Sequence, residues 1–336
     1  MSILPEAFEA QAQACAELGS PFMARLCGVL PDLLEGTALG ARLRVWPGDV
    51  GPGGDSLPLR VAGALHALKL DGDAGLGAIY PPQNPGDTGF ADGIATALEV
   101  HAEAINVFID RPPQTNEVRR SAFLIAAASV VTSRFGLPLR LSELGASAGL
   151  NLNFDRYGLA ANGWARGASD PVVTLTPDWT GGPPPEAKIA VAERRGADLT
   201  PLDPVADRQR LLAYLWPDQP ERLSLTRAAL ALPPAPVDAA DAGDWLGARL
   251  DAVPGRAHLI FHTVAWQYFP AAVQARLTTA IEAAGAQATA DAPLAVASME
   301  NDGGDGAALN LRLWPGDEAL HLGRGDFHGR WIRWAL

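Results

Sequence analysis

Cysteine and lysine are both scarce in this chain of 336 residues. The two cysteines, Cys15 and Cys27, match the spacing of no familiar metal site and need not form a disulfide. Lys69 and Lys188 are the only lysines, so arginine carries nearly all of the positive charge. This bias, together with abundant Ala, Gly and Pro, is typical of a protein from a GC-rich bacterial genome.

Positive charge and long apolar runs are also lacking, and each absence excludes a class of partner. The net charge of -12 argues against nucleic acid, because proteins that bind polyanions concentrate Lys and Arg. No uninterrupted apolar run is long enough to span a bilayer, and residues 1–6 lack the basic and apolar segments of a secretory signal. The sequence therefore predicts a cytoplasmic protein that acts on a small molecule. It predicts nothing about the oligomeric state.

The first part of the chain is predicted to be helical. With 48% hydrophobic and 19% charged residues, the chain has the composition of a globular protein and the length for a core domain with a cap. Residues 1–135 contain helical patterns separated by loops rich in Gly and Pro, and we predict a helical cap domain that shapes the substrate pocket. The predicted helices are Pro5–Leu18, Phe22–Leu34, Leu57–Leu70, Ile94–His101 and Asn116–Phe135.

From residue 139 the pattern changes to short apolar runs that alternate with helical segments. This alternation predicts an α/β domain over 136–336, with a mostly parallel, Rossmann-like sheet and an insertion at about 150–187. The sheet is expected to end in an antiparallel pair, Ala308–Trp314 and Trp331–Leu336. The other predicted strands are Leu139–Leu144, Lys188–Ala192, Ala235–Ala239, His258–Val264 and Pro293–Met299.

The segment Glu143-Leu144-Gly145-Ala146-Ser147-Ala148-Gly149 begins at the end of the first predicted strand and fits two chemistries. As an acidic residue before Gly-x-x-x-Gly, it resembles the first cofactor-binding motif of class I S-adenosylmethionine-dependent methyltransferases. As Gly-x-Ser-x-Gly, it resembles the nucleophile elbow of an α/β-hydrolase, with Ser147 as the attacking group. The motif alone does not choose between them.

Acidic residues at the ends of the first three strands favour the methyltransferase interpretation. In an open α/β sheet, ligands bind at the carboxyl ends of the strands, and Glu143, Asp198 and Asp241 each follow one. The resemblance implies that Glu143 orients the amino-acid end of S-adenosylmethionine, that Asp198 binds the ribose hydroxyls and that Asp241 faces the adenine. The implied cofactor-binding residues are Glu143, Gly145, Ser147, Gly149, Asp198 and Asp241.

The fourth strand is expected to face the methyl-transfer side. His262 near its end is placed to take a proton from the nucleophile, and Tyr268 is a second candidate catalytic residue. The helix that precedes the first strand should place its N-terminus over the same end of the sheet. The candidate substrate-binding residues are Asn116, Glu117, Arg119, Arg120, Trp266 and Glu300.

Several short motifs taken together resemble a bacterial family, domain of unknown function 2332. They are Thr-Asn-Glu before a helix, Glu-Leu-Gly-Ala-Ser-Ala-Gly-Leu-Asn, an Arg-x-Gly-x-Asp-x-x-Pro-x-Asp pattern ending at Asp203, Trp-Pro-Asp-Gln, and His-x-x-x-Trp-x-Tyr. The resemblance covers nearly the whole chain, but it implies no reaction.

Two alternatives to methyl transfer remain open. Ser147 stands where methyltransferases usually have glycine, which favours a methyltransferase-like fold that binds a ligand or partner without catalysis. A serine hydrolase would use Ser147 with His321 or His328 and with Asp291 or Asp305. The chain before residue 139 offers helices where that fold requires strands. None of the six histidines forms a metal-binding pattern, so no metal is predicted.

Overall fold

A computed structural model describes residues 3–336 of the chain. Helices occupy most of the described residues up to Phe135, and strands alternate with helices thereafter. In chain order the α-helices are α1 (Ile3–Glu17), α2 (Pro21–Leu34), α3 (Ala38–Arg44), α4 (Leu57–Leu70), α5 (Ala74–Ile79), α6 (Asp87–Val100), α7 (Ala102–Phe108), α8 (Ser121–Phe135), α9 (Arg208–Ala213), α10 (Pro220–Ala229), α11 (Ala242–Gly247) and α12 (Ala271–Ala286). Short 3₁₀ helices cover Val118–Arg120, Asn151–Arg156 and Trp266–Tyr268.

The strands form one large sheet and one small sheet. They are β1 (Leu139–Leu144), β2 (Tyr157–Ala161), β3 (Trp164–Gly167), β4 (Val173–Leu175), β5 (Asp178–Thr180), β6 (Val191–Asp198), β7 (Val237–Ala239), β8 (Ala257–Thr263), β9 (Leu294–Asn301), β10 (Ala307–Trp314), β11 (Glu318–Gly325) and β12 (Trp331–Trp334). Nine strands make the large sheet, in the order β5-β12-β11-β10-β9-β8-β1-β6-β7. The small sheet has the order β3-β2-β4.

Five strands of the large sheet, β7-β6-β1-β8-β9, run parallel to one another. Numbered along the chain, they have the order 3-2-1-4-5 of doubly wound sheets. The order reverses between β1 and β8, and in doubly wound sheets the carboxyl ends of the strands at this reversal are where ligands bind. The mixed α/β class and the mostly parallel sheet were both predicted from the sequence.

The two faces of this sheet are covered by different elements. Helix α8 packs against β8, β9 and β10 on one face. On the other face Val273, Leu277 and Ile281 of α12 pack with Ile260 of β8 and Leu294 of β9 in a buried cluster. These helix residues are spaced four apart, so they form one apolar stripe along α12.

One expectation about the sheet is wrong. The C-terminal strands are not a pair, because β11 lies between Ala307–Trp314 and Trp331–Trp334 and makes an antiparallel meander. In addition, no α-helix joins β1 to β6. The connection instead contains the 3₁₀ helix Asn151–Arg156 and the strands of the small sheet, which fill the predicted insertion at 150–187.

The described residues divide into two compact units, at a different place from the predicted boundary after residue 135. One unit holds the residues through Thr115 together with Ala206–Ser224, and the other holds Asn116–Val205 and Leu225–Leu336. Helix α8 belongs to the second unit because it packs on the sheet. Its first α-helical residue is Ser121 and not Asn116, since Val118–Arg120 form a 3₁₀ turn.

The helical unit has its own core. Phe8, Leu26, Leu65 and Phe90 are among its fully buried side chains, and Trp216 from the later segment belongs to the same cluster. His66 of α4 is hydrogen bonded through Nδ1 to the carbonyl of Ala213, at 3.0 Å. The segment Ala206–Ser224 therefore forms part of the core of the helical unit.

Candidate functional site

The loops that leave β1 and β8 meet at the point where the strand order reverses. Gly145 follows β1 with φ +72°, and a Cβ atom there would lie 2.7 Å from the Cβ of Ala265 in the loop after β8. Only glycine fits both the positive φ and the close neighbour. The contact fixes the two loops against each other at the carboxyl ends of the strands.

The turn after β1 alternates left-handed and ordinary conformations. Gly145, Ser147 and Gly149 have φ values of +72°, +51° and +70°. A positive φ is uncommon for a residue with a side chain, so Ser147 stands in a conformation that glycine adopts more easily.

The backbone N–H groups of this turn are already used within the protein. Gly145 N–H donates to the carbonyl of Ala197 at 2.9 Å, and Gly149 N–H donates to that of Ala146 at 2.7 Å. Ser147 N–H donates to the carboxylate of Asp198 at 2.8 Å. The turn therefore brings the backbone close to β6, and these three N–H groups are not directed at a ligand as the resemblance implied.

Glu143, the last acidic residue of β1, is buried without a complete set of hydrogen bonds. Its side chain is 2% exposed, and among the described residues Oε2 has no hydrogen-bond partner. Burial and the nearby Asp198 carboxylate raise the pKa of Glu143 well above its usual value, although Arg120 acts in the opposite direction. A buried carboxyl with an unbonded oxygen is costly unless a ligand supplies the missing donor.

Asp198 ends β6 beside this carboxyl. Its Oδ2 accepts from Ser147 N–H at 2.8 Å, and its Oδ1 accepts from Thr200 N–H at 2.9 Å. Each carboxylate oxygen has a further lone pair, so Asp198 keeps the capacity to accept two more hydrogen bonds. Glu143 and Asp198 thus lie together at the carboxyl ends of neighbouring strands, where the sequence placed them.

Asp241 has a structural role instead of the expected position against a ligand. Its Oδ1 caps helix α11 by accepting from the N–H groups of Gly243 and Asp244 at 3.0 and 3.2 Å. The same oxygen accepts from Arg276 at 2.9 Å. An aspartate after a strand commonly serves as an N-cap, and all three of these donors bind Oδ1.

Residues 116–120 lie near the carboxyl ends of β1 and β8. Asn116 accepts a hydrogen bond from Leu150 N–H, just after the turn, at 2.9 Å. Arg120 donates to the carbonyls of Thr263 and Phe327 at 3.0 and 2.9 Å. Glu117 accepts from Arg119 N–H at 3.1 Å and from Arg119 Nε at 3.3 Å. A carboxylate therefore holds Arg119, while Arg120 is tied to the end of β8.

His262 and Glu300 form a dyad on neighbouring strands. His262 Nδ1 and Glu300 Oε1 are 2.8 Å apart, and the same oxygen accepts from the N–H groups of Ala265 and Trp266 at 3.0 and 3.2 Å. The carboxylate therefore holds the imidazole through Nδ1. The indole of Trp266 stacks on the imidazole, with ring centroids 4.9 Å apart and an angle of 25°.

Sequence reasoning missed the bend that brings the N–H groups of Ala265 and Trp266 to Glu300. Val264 directly after β8 has φ +53°, a strained value for a β-branched residue. The bend turns Ala265 and Trp266 back toward Glu300. No feature of the residue types signals it, since valine is normally a sign of extended backbone. Tyr268 ends the 3₁₀ helix that begins at Trp266 and is 66% exposed.

The residues named for a serine hydrolase have other partners. His321 Nδ1 is 2.9 Å from the side-chain oxygen of Asn310. Asp305 pairs with Arg333 at 2.6 Å. The turn that carries Ser147 leads into a 3₁₀ helix and follows the first strand of the described chain, whereas a nucleophile elbow leads into an α-helix after several strands.

A model of the family described as "Uncharacterized protein conserved in bacteria (DUF2332)" matches residues 5–334. The chain belongs to this family. No curated protein and no solved structure matches it. Between Ile3 and Leu336, no group of three or more His, Cys, Asp or Glu side chains is placed to hold a metal ion. Over the same residues, no helix has both the length and the apolar character needed to cross a membrane.

Proposed function

We propose that this member of DUF2332 binds S-adenosylmethionine at the carboxyl ends of β1 and β6 and transfers its methyl group to a small molecule. The observation that carries the proposal is Glu143, a buried carboxyl at the end of the central strand whose Oε2 has no partner in the described chain. It lies where doubly wound sheets bind nucleotide-like ligands.

The residues present fit the polar ends of this cofactor. Its amino-acid end carries an ammonium group, and Glu143 is the buried acceptor for it. Asp198 has free lone pairs at the end of the second strand, which suits two ribose hydroxyls. Asp241 is engaged by Arg276 and by the start of α11, so we assign it no contact with the adenine.

The chain's own residues then prepare the acceptor. The cofactor supplies an electrophilic methyl group when it is bound. Glu300 accepts Nδ1–H of His262, which leaves Nε2 as the basic nitrogen able to take a proton from an oxygen or nitrogen nucleophile. Arg120 ties the end of β8 in place through the carbonyl of Thr263, so the imidazole sits on a fixed support.

A second candidate function is ligand binding without catalysis. Two observations favour it. The N–H groups of Gly145, Ser147 and Gly149 are taken by protein acceptors, and the connection from β1 to β6 lacks the helix whose N-terminus would face a ligand. Both proposals require the ligand to bind at Glu143 and Asp198, and they differ in whether a methyl group is transferred.

The cofactor proposal is tested by calorimetric titration of the full chain with S-adenosylhomocysteine. We expect saturable binding, and a ligand at one hundred times its Kd should stabilise the fold by about 2.7 kcal/mol. Asp198→Ala should weaken binding by about 1–3 kcal/mol, because hydrogen bonds to the ribose are lost. Asp170→Ala removes the same charge at an exposed loop position and should leave the affinity unchanged.

Glu143→Gln supplies a second, independent readout. Wild-type Glu143 must lose a proton to bind an ammonium group, because its pKa is raised, so the wild-type affinity should increase with pH. The affinity of the Gln variant should be lower and independent of pH over the same range. Absence of binding at millimolar ligand overturns the cofactor proposal and favours a protein that binds a different ligand without methyl transfer. Binding without methyl transfer to any of a broad set of phenols and amines favours the non-catalytic one.

A further inference from the structure

The sheet face that carries α12 is only partly covered. Ile281 of α12 packs over β8 and β9, and beyond the helix the neighbouring strands β10 and β11 leave an open groove. Its volume is about 440 Å³, and its lining includes His262, Trp266, Ser298 and His321. Small-molecule sites commonly measure about 300–1,000 Å³. The groove therefore has the size of a ligand site and reaches the His262–Glu300 dyad.

A row of uncharged polar side chains crosses the floor of this groove. His262 pairs in register with Ser298, Ser298 with Asn310, and Asn310 with His321, so the four residues lie side by side on four neighbouring strands. Adjacent members are about 5 Å apart because that is the spacing of strands in a sheet. Such a row presents hydrogen-bonding groups along one line and not around a point.

The contacts within the row determine what remains for a ligand. Glu300 Oε1 accepts a hydrogen bond from His262 Nδ1 at 2.8 Å, which leaves Nε2 as an acceptor. Asn310 Oδ1 accepts a hydrogen bond from His321 Nδ1 at 2.9 Å, which leaves the amide N–H groups of Asn310 as donors. The row thus offers an acceptor at one end and donors further along.

The rest of the lining is apolar and aromatic. Trp266 lies beside His262, and Val296, Ile281 and Trp314 supply further apolar surface. The one arginine of the lining, Arg312, is paired with Asp317 at 2.6 Å and with Glu282 at 3.0 Å. Since its charge is already matched by two carboxylates, the groove offers no free cation to an anionic ligand.

We propose that this groove binds a planar, uncharged aromatic molecule with an O–H or N–H group on its rim, and that this hydrogen is donated to His262 Nε2. A flat ring fits against the indole and aliphatic walls, while its polar edge lies along the row from His262 to Asn310. That this molecule is the methyl acceptor rests on the proposed function, whereas the binding itself does not.

The test is a titration of the full chain with 2-naphthol, followed through the imidazole ¹⁵N shifts of its six histidines. The signals of His262 and His321 should move together and saturate, and those of the other histidines should stay in place. Two related compounds probe the chemistry: 2-naphthoate adds a negative charge, and decahydro-2-naphthol removes the aromatic ring. Each should bind at least about tenfold more weakly.

Variants locate the site independently of any activity. Ser298→Leu fills the middle of the row and should weaken 2-naphthol binding by at least about tenfold. Thr174→Leu makes the same kind of change at an exposed strand position outside the groove and should have no effect. The proposal is overturned if His262 does not respond, if Ser298→Leu binds as the wild type does, or if 2-naphthoate binds equally well. Naphthol binding without binding of S-adenosylhomocysteine would refute the proposed function and leave this site intact.

Discussion

His258 is a buried histidine held in its neutral form. It lies on β8, 8% exposed, with Nε2 2.9 Å from the hydroxyl of Ser142. Burial, together with the positive charges of Arg140 and Arg249, lowers the pKa of His258 to about 3. In the unfolded chain a histidine has a pKa of about 6.5. At a pH between the two pKa values, the unfolded state therefore binds a proton at His258 and the folded state does not.

Stability should therefore fall as the pH is lowered through the window between these two values. The contribution of His258 is fully present above about pH 6.5 and is lost at a rate approaching about 1.4 kcal/mol per pH unit below it. Urea unfolding at about pH 7, 6 and 5 measures the slope. His258→Gln keeps a polar side chain without the titration and should flatten it, whereas His321→Gln, at an exposed position, should not. An equal slope in wild type and His258→Gln would contradict this account.

Ser147 gives a second prediction at the scale of one residue. Its φ of +51° costs a residue with a side chain about 1–2 kcal/mol, while glycine pays about 0.5–1 kcal/mol of entropy instead. We expect the unfolding free energy of Ser147→Gly to lie within about 1 kcal/mol of the wild-type value. Ser147→Val should be clearly less stable because valine is β-branched. Urea unfolding of the two variants measures the difference, and equal stability of the two would show that the turn is not strained.

The same residue separates the hydrolase from the other hypotheses. If Ser147 is only a turn residue, a fluorophosphonate probe should not label the wild-type protein. Stoichiometric labelling of the wild type that disappears in Ser147→Ala would identify a nucleophile and overturn the methyltransferase proposal.

At the scale of helices and strands, the contact between the loop after β1 and the loop after β8 can be tested by substitution. Gly145→Ala brings a Cβ to 2.7 Å from that of Ala265 and forces a side chain into a φ of +72°. Gly163 between β2 and β3 has a φ of +85° with nothing within 4 Å, so Gly163→Ala carries the backbone penalty alone. We expect Gly145→Ala to lower the unfolding free energy by about 1–3 kcal/mol more than Gly163→Ala does. Equal losses would mean that the two loops do not press on each other.

The sequence predicts those helices and strands whose bounds are set by the local pattern of residues. It does not predict features that depend on contacts with other parts of the chain. Helix α4 has the predicted bounds, Leu57–Leu70, because its local pattern decides them. Strand β11 was missed because Trp314-Pro315-Gly316-Asp317, which begins at the end of β10, marks a turn without showing that the chain continues as a strand. The acids at the ends of β1 and β6 come together because parallel strands align them. His262 and Glu300 lie on neighbouring paired strands. The N–H groups of Ala265 and Trp266 that join them come from the bend at Val264, which the residue types do not signal.

At the scale of the whole molecule, the helical unit is built from two separated pieces of chain. Ala206–Ser224 supplies Trp216 to its core and the carbonyl that bonds His66. We therefore expect a fragment of residues 1–115 to lack a cooperative unfolding transition, followed by circular dichroism in urea. The same fragment joined through a short flexible linker to residues 206–224 should regain it. A cooperative transition in the shorter fragment would show that the second piece is dispensable.

This divided unit has a consequence for synthesis on the ribosome. Translation proceeds at about 5–20 residues per second, so the interval between the emergence of Thr115 and that of Ser224 is roughly 5–20 s. Throughout that interval the first seven helices are out of the ribosome but lack their last segment, and β1 and β6 emerge before that segment does. The first-made part of the chain must then wait for a later one, and a chaperone that shields exposed apolar helices has its longest opportunity to act during this delay.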